Sequence, residues 1–121
     1  MSAWTYAAIA GAGGLASVGR FLVDAAVSAR ADRGFPAGTL VVNLSGALVL
    51  GFLSGRALSG EALAIAGTGV LGSYTTFSTW MFESQRLAED GRGRAAAANV
   101  VVSLAAGLAA AALGRALGEL L

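Results

Sequence analysis

The polar chemistry of this chain is concentrated in residues 72–80, which read GSYTTFSTW. Five Ser and Thr hydroxyls lie there among the rings of Tyr74, Phe77 and Trp80, directly after the apolar run ALAIAGTGVL at 62–71. Hydroxyl groups can donate hydrogen bonds, and an aromatic ring is positive at its edge. Polar side chains inside an apolar segment are costly and usually functional. The stretch therefore predicts an aqueous or ion-binding site.

The residue types around this stretch predict an interrupted helix. Ser and Thr compete for backbone hydrogen bonds, and three glycines loosen the helix just before them: Gly67, Gly69 and Gly72. A break near 72–76 leaves main-chain groups that a bilayer tolerates only inside protein or beside a cavity. A helix that resumes at Phe77 places Trp80, and roughly Glu83, on one face. In the alternative, the hydroxyls bond back to i−4 carbonyls, the helix is whole and the rings face lipid; the density of hydroxyls favours the interruption.

A second group of polar residues repeats at helical spacing around Asn43. Thr39, Asn43 and Gly46 fall at i, i+4 and i+7, on one helix face. The Asn43 amide either joins two helices by a hydrogen bond worth about 1 kcal/mol in membranes or lines a polar path. On residue type alone, the joining role is slightly favoured.

Two further polar pairs occur in apolar surroundings. Asn99 and Ser103 lie four residues apart and are followed by Gly107, which predicts either a small-residue packing face or a hydroxyl on the same polar path. Arg20 and Asp24 are also four residues apart and can neutralise each other. Alternatively, Arg20 extends to the membrane surface, or its fixed charge raises the local concentration of anions at a pore mouth.

The elements that carry these residues are predicted to be membrane-spanning helices. The chain has 121 residues, of which 56% are hydrophobic and 12% charged, whereas soluble domains are typically about 25% charged. A span needs about 20 mostly apolar residues. Four stretches qualify, so we expect an all-α membrane protein with a single four-helix domain over residues 1–121. The spans are expected at Ala3–Ala29, Pro36–Leu58, Glu61–Leu87 and Ala95–Leu117.

The connections predict an alternating up-and-down topology, because all three are short. Pro36, the only proline, suits a helix start. Arginine in loops favours the cytoplasmic side. Five arginines lie at the loops after the first and third spans, Arg30, Arg33, Arg86, Arg92 and Arg94, against two on the other side, Arg56 and Arg115. This bias places the N-terminus outside. In the first span, Gly11, Gly13 and Gly14 are expected to allow close helix packing.

The composition also excludes several functions. The chain has no Cys, His or Lys, which removes disulfides, Cys/His zinc sites and thiol, imidazole or Schiff-base chemistry. Its net charge of +1 provides no basic patch, so nucleic acid is not an expected partner. We find no acid–base pair or activated nucleophile, and therefore expect no enzyme. The N-terminus lacks the charged region of a signal peptide.

Three stretches together identify a resemblance. GGLASVGRF (13–21), GTLVVNLSG (38–46) and GVLGSYTTFSTWMFE (69–83) are similar to the CrcB/Fluc family of small fluoride channels, over essentially the whole chain. The resemblance implies an antiparallel, dual-topology homodimer in the plasma (inner) membrane, with a broken third helix and two narrow pores. It also implies passive export of fluoride, which relieves fluoride toxicity in the cytoplasm.

The resemblance further implies roles for individual residues. Asn43 would donate hydrogen bonds to fluoride, and Phe77 would present its ring edge. Hydroxyl groups would form a polar track, with Thr76, Thr79 and Ser103 as the candidates. Arg20 would lie near a vestibule and Glu83 near the pore end. A central sodium ion would be bound by the backbone carbonyls of Gly72 and Thr75 from both subunits.

The chain departs from the family pattern in two respects. Trp80 stands where the family usually has a second pore phenylalanine, and it adds bulk together with an indole N–H donor. The arginine bias of five to two is also unlike the near-balanced loops that suit dual topology.

Two other functions compete with the channel. A small proton-coupled multidrug-type exporter has a similar length and span number, but it needs an acidic residue in the middle of its first span. The first acid of this chain is Asp24, near the end of that span. A non-transporting assembly or holin-like protein would use the polar residues only to join helices, and would not need Asn43, the TTFST cluster and a broken helix together.

Overall fold

The computed structural model describes residues 1–31 and 34–121, which are helices joined by short turns. Two long helices stand at the ends of the chain, α1 and α6, and α2 follows α1. The segment between α2 and α6 is divided into several pieces. The elements are α1 (Ala3–Arg30), α2 (Ala37–Gly55), α3 (Gly60–Leu63), a π-helical stretch (Ala64–Leu71), α4 (Gly72–Tyr74), α5 (Ser78–Glu89) and α6 (Gly93–Leu120).

Three helices in the described part of the chain are long and apolar enough to cross a membrane: α1, α2 and α6. Their large apolar side chains point mostly outwards. Leu15 and Leu108, for example, are 77% and 67% exposed. Such a surface suits lipid rather than water. The expectation of an all-helical membrane protein is therefore confirmed. Asp32 and Arg33 lie outside the described residues, so the loop assignment of Arg33 is not addressed.

The predicted interruption of the third segment is present. Helical structure runs from Gly60 to Tyr74, stops over residues 75–77 and resumes at Ser78. The sequence placed the break near 72–76 and the restart at Phe77; the observed break begins three residues later and the restart one residue later. The sequence did not predict the π-helical stretch, in which the Gly72 N–H donates to the carbonyl of Gly67, five residues back. Single turns of π-helix frequently occur at functional sites.

Helices α2 and α6 pack through matched pairs of glycines. Gly51 and Gly55 on α2 and Gly114 and Gly118 on α6 are each spaced i, i+4. A Cβ atom on any of the four would clash with main-chain atoms of the facing helix. Small residues at this spacing let membrane helices approach closely. The contact also uses Ala111, whereas a Cβ on Gly107 would meet no atom within 4 Å.

Helix α1 packs against the π-helical stretch in a similar way. A Cβ on Gly13 would lie 3.1 Å from the carbonyl oxygen of Gly69 and closer still to the hydroxyl of Ser73. Gly11 and Gly14 have no such neighbour within 4 Å. The expected close packing of α1 is therefore made by Gly13 alone among these three glycines. The contact holds the N-terminal half of the interrupted segment against α1.

Candidate functional site

The site is built around the interruption, and Thr75 ends the first half of the segment. Its backbone is extended, with φ −80° and ψ 161°. Its N–H and its hydroxyl both donate to the carbonyl of Leu71, at 3.0 and 2.9 Å. The hydroxyl bond to an i−4 carbonyl is the interaction that the whole-helix alternative assumed. Here that bond closes the last turn before the chain leaves the helix, and does not carry the helix onward.

Asn43 of α2 binds the backbone of the break from the side. Its Nδ2 donates to the carbonyl of Thr76, and its Oδ1 accepts from the N–H of Thr76, each at 2.8 Å. In a continuous helix that N–H would donate to the carbonyl of Gly72. Asn43 therefore forms hydrogen bonds with the backbone N–H and carbonyl of Thr76, which the break would otherwise leave unpaired in apolar surroundings. The second Nδ2 hydrogen forms no hydrogen bond within the described chain.

Thr76 begins the second half of the segment. Its hydroxyl oxygen accepts from the N–H of Thr79 at 3.2 Å, which is the geometry of a helix N-cap. A hydroxyl that accepts through its oxygen keeps its own proton for another partner. The hydroxyl that starts α5 is therefore also a donor close to Asn43.

The two aromatic rings that follow the break contact each other. Phe77 and Trp80 are T-shaped, with ring centroids 5.7 Å apart and planes at 87°. This contact agrees with their predicted common face. Phe77 is 68% exposed and projects from the single chain. The indole Nε1–H of Trp80 donates to the carbonyl of Asn99 at 3.0 Å, so it is already engaged.

One cavity of about 420 Å³ brings most of the predicted site residues together. It lies between α2, α6 and the interrupted segment, and its other lining is largely apolar. It receives the amide of Asn43, both rings and the hydroxyl-bearing residues near them. The predicted residues that line it are Asn43, Gly72, Thr75, Thr76, Phe77, Trp80 and Ser103.

A second, smaller cavity of about 110 Å³ contains the other two predicted residues of the polar track and vestibule, Arg20 and Thr79. Asp24 and Thr39 also line it, and Thr76 contributes to its wall as well as to that of the large cavity. The guanidinium Nε of Arg20 is buried and has no hydrogen-bond partner among the described residues. The expected neutralisation by Asp24 is not seen as an ion pair in this part of the chain.

Glu83 lies apart from both groups. It lines a third cavity, of about 320 Å³, with Phe35, Pro36 and Arg86. One carboxylate oxygen, Oε1, is buried without a hydrogen-bond partner in the described residues. Glu83 is three residues after Trp80 on α5, but it does not line the large cavity of Phe77 and Trp80.

Comparison with known proteins decides the family. The family model described as CrcB-like protein, Camphor Resistance (CrcB), matches residues 7–115, which include every residue of the candidate site. The chain belongs to the CrcB family. The fluoride-specific ion channel FluC 2 of Mycolicibacterium paratuberculosis is 62% identical over 108 residues, covering 89% of this chain and 88% of the relative.

Other CrcB relatives extend the same match. A FluC 2 channel of Mycobacterium tuberculosis (strain ATCC 25618 / H37Rv) is 59% identical over 103 residues, which cover 85% of this chain and 82% of the relative. A FluC 1 channel of Leifsonia xyli subsp. xyli is 44% identical over 117 residues, covering 93% and 85%. The similarity therefore spans most of the length of this chain and of each relative.

The structure also places two functional candidates in this CrcB chain that were not among the predicted site residues: Asn99, which the sequence only paired with Ser103, and Ser84. Asn99, 1% exposed, donates from Nδ2 to the hydroxyl of Ser84 at 2.8 Å. The Ser84 hydroxyl donates to the carbonyl of Trp80 at 2.8 Å. The sequence offered one signal, since an Asn inside an apolar span is expensive. The partner Ser84 sits in a polar stretch and gave none.

Proposed function

We propose that this chain is the subunit of a fluoride-specific channel that lets fluoride leave the cell down its electrochemical gradient. The observation that carries the proposal is the pairing of Asn43 with the Thr76 backbone at the interruption. It fixes amide, hydroxyl and ring groups on one cavity in a chain of the CrcB family. Relatives that match most of this chain are named fluoride-specific ion channels. The protein is a channel and not an enzyme.

The physical problem is to replace the water around a small, strongly hydrated anion. A pore solves it with hydrogen-bond donors that are already in place. The free Nδ2 hydrogen of Asn43 and the hydroxyl proton of Thr76 are two such donors. The edges of the Phe77 and Trp80 rings are positive and tolerate an anion beside them. Because the Trp80 N–H is engaged by Asn99, Trp80 acts through its ring.

The small cavity is the proposed vestibule. The unpaired Nε of Arg20 provides positive charge close to the hydroxyls of Thr76 and Thr79. A fixed positive charge raises the local concentration of anions. Thr76 lies on the walls of both cavities, so an anion drawn to Arg20 has the next donor in reach. Ser103 extends the polar track within the large cavity, and Glu83 lies towards the pore end.

Fluoride efflux from liposomes tests the function. Purified protein is reconstituted into vesicles loaded with potassium fluoride or potassium chloride, and efflux is followed with ion-selective electrodes after valinomycin is added. We expect rapid fluoride efflux, with chloride efflux at the level of empty vesicles. Equal rates for the two anions would overturn the selective channel. Fluoride movement that requires a proton gradient would favour the exporter instead.

We propose that the interrupted segment also crosses the membrane, as the third of four spans, and that two chains assemble as an antiparallel homodimer in the plasma (inner) membrane. Phe77 lines the large cavity and is 68% exposed. A pathway that strips water from an ion needs walls on all sides. A second copy in the opposite orientation would supply them. Two pathways per dimer follow from the symmetry.

We propose that a central sodium ion binds at the interruption. Thr76 turns its N–H to Asn43 and away from the carbonyl of Gly72, and the extended backbone of Thr75 leaves the helical path. Both residues line the large cavity. Carbonyl oxygens suit hard cations, so these two positions fit the group. One chain offers two carbonyls, and a second copy would complete the set. When bound, the ion supplies positive charge near the anion paths.

A high-resolution experimental structure in sodium-containing detergent or lipid tests the assembly and the cation together. We expect two antiparallel chains, with density between them at cation–oxygen distances from the Gly72 and Thr75 carbonyls of each chain. A parallel pair or a monomer would contradict the dimer. Contacts at water-like distances, unchanged when sodium is replaced by a large organic cation, would contradict the ion.

A further inference from the structure

We propose that Asn99 is a positioning residue that fixes Trp80 and Ser103 on the fluoride pathway. The inference rests on the proposed channel function and extends it to a residue that does not line the large cavity. Asn99 sits on α6 and is 1% exposed. It acts on the pathway through the side chains it holds.

Asn99 both accepts and donates hydrogen bonds between α6 and α5. Its backbone carbonyl accepts the indole N–H of Trp80 at 3.0 Å. Its Nδ2 donates to the hydroxyl of Ser84 at 2.8 Å and lies 3.5 Å from the carbonyl of Trp80. The Ser84 hydroxyl donates to that same carbonyl at 2.8 Å. Both the ring and the backbone of Trp80 are therefore tied to Asn99.

The remaining atom of the carboxamide faces Ser103. The Ser103 hydroxyl donates to Oδ1 of Asn99 at 3.4 Å, which is long for an O–H···O bond. A bond of this length holds the proton weakly. Because Ser103 lines the large cavity, its hydroxyl can turn to an arriving anion and return to Asn99 when the anion leaves. Asn99 thereby sets the resting direction of a donor on the pathway.

The need for both a donor and an acceptor explains the residue type. A leucine at position 99 has nearly the same size but can neither donate to Ser84 nor accept from Ser103. It would leave the buried hydroxyl of Ser84 without one of its two partners. Polar contacts between membrane helices help to fix their relative positions. Their loss therefore loosens the backbone that carries Trp80, while the indole bond to the main-chain carbonyl of residue 99 and the apolar packing of α6 remain.

The test combines a spectroscopic readout with flux. Trp4 and Trp80 are the only tryptophans, and Trp4 is 75% exposed, so Trp4→Phe leaves Trp80 as the sole reporter. In that background we expect Asn99→Leu to shift the Trp80 emission to longer wavelength and to lower its anisotropy. Fluoride efflux per folded protein should fall about five- to tenfold, which corresponds to the loss of one or two such interhelical bonds. Val101→Leu, at an exposed position two residues away on α6, is the matched control and should change neither quantity.

Ser84→Ala provides a second, milder variant in case Asn99→Leu fails to fold. It removes the bridge between Asn99 and the Trp80 carbonyl, and should shift the emission and the flux in the same direction by a smaller amount. Unchanged emission and fluoride efflux within twofold of the parent in the folded variants would overturn the role of Asn99. If the parent itself moves no fluoride, the channel function fails, and with it the pathway role of Asn99; the emission arm would then report only on how Trp80 is held.

Discussion

Asn43→Leu is expected to abolish fluoride efflux and to destabilise the protein. Leucine keeps the size of the side chain but removes both hydrogen bonds to the Thr76 backbone. An unsatisfied buried polar group costs about 1–3 kcal/mol, and two such groups are left at the break. The donor that faces the anion is lost as well, and each 1.36 kcal/mol on the barrier lowers the rate tenfold. Efflux should therefore fall by at least about 100-fold.

Asn43→Asp separates the two roles of this side chain. The carboxylate still accepts from the Thr76 N–H but has no proton for the Thr76 carbonyl, so the variant should lose stability and yet fold and assemble. It has no N–H for the anion and carries a negative charge on the pathway, so efflux should remain suppressed at neutral pH. Stability is read from thermal unfolding in detergent, and flux from the electrode assay. Wild-type efflux in either variant would remove Asn43 from the pathway.

Ser45→Ala is the matched control for Asn43, because Ser45 lies two residues away on α2 and also bonds across to the interrupted segment. Its hydroxyl contacts the Tyr74 hydroxyl at 2.9 Å and donates to the carbonyl of Val42. Losing a neutral side-chain hydrogen bond costs about 0.5–1.5 kcal/mol. The variant should lose some stability but keep fluoride efflux close to that of the parent.

The position of the break could be predicted because its causes are local. The hydroxyl side chains offer the backbone alternative bonds within four residues, as Thr75 and Thr76 do. Glycines precede them in the chain. These effects depend on residues that are close in the chain, so they can be recognised from the sequence alone. The restart of the helix was accurate to one residue for the same reason.

The partners of the two asparagines could not be predicted, because they depend on how helices pack. Asn43 meets a backbone 33 residues away, and Asn99 meets a ring 19 residues away. The sequence indicated only that an amide in an apolar helix needs a partner. For Asn43 the two alternatives, joining helices and lining a polar path, do not exclude each other, since its side chain binds the Thr76 backbone and also lines the large cavity.

The glycine contacts and the role of Trp80 show the same limit. Gly51 meets the main chain of Ala111, and Gly114 that of Leu48, only when α2 and α6 cross at these positions. Trp80 offered both a ring edge and an N–H donor in the sequence, and the helix register of α6 decides which of the two is free. Once the N–H is bound to Asn99, the ring edge is what remains, as it would be for a phenylalanine.

The second large effect is expected at Phe77, where Phe77→Ile should stop fluoride efflux while the protein stays folded. Isoleucine is apolar and fills space, but it has no ring with a positive edge to face an anion. The ring is 68% exposed in the single chain and contacts Trp80, so the substitution costs about the 0.5–1.5 kcal/mol of one aromatic pair. The result would be a folded, assembled protein with efflux near the level of empty vesicles.

Phe82→Ile is the matched control for Phe77→Ile. Phe82 lies on α5, five residues after Phe77, is 58% exposed and has the Arg86 guanidinium over its ring at 5.8 Å. Its loss costs about 0.5–1 kcal/mol, similar to the loss at Phe77. The two variants thus match in chemistry, exposure and stability, and differ in that only Phe77 lines the large cavity. Equal efflux from both would mean that the ring at the break faces lipid, and that the anion takes a route without it.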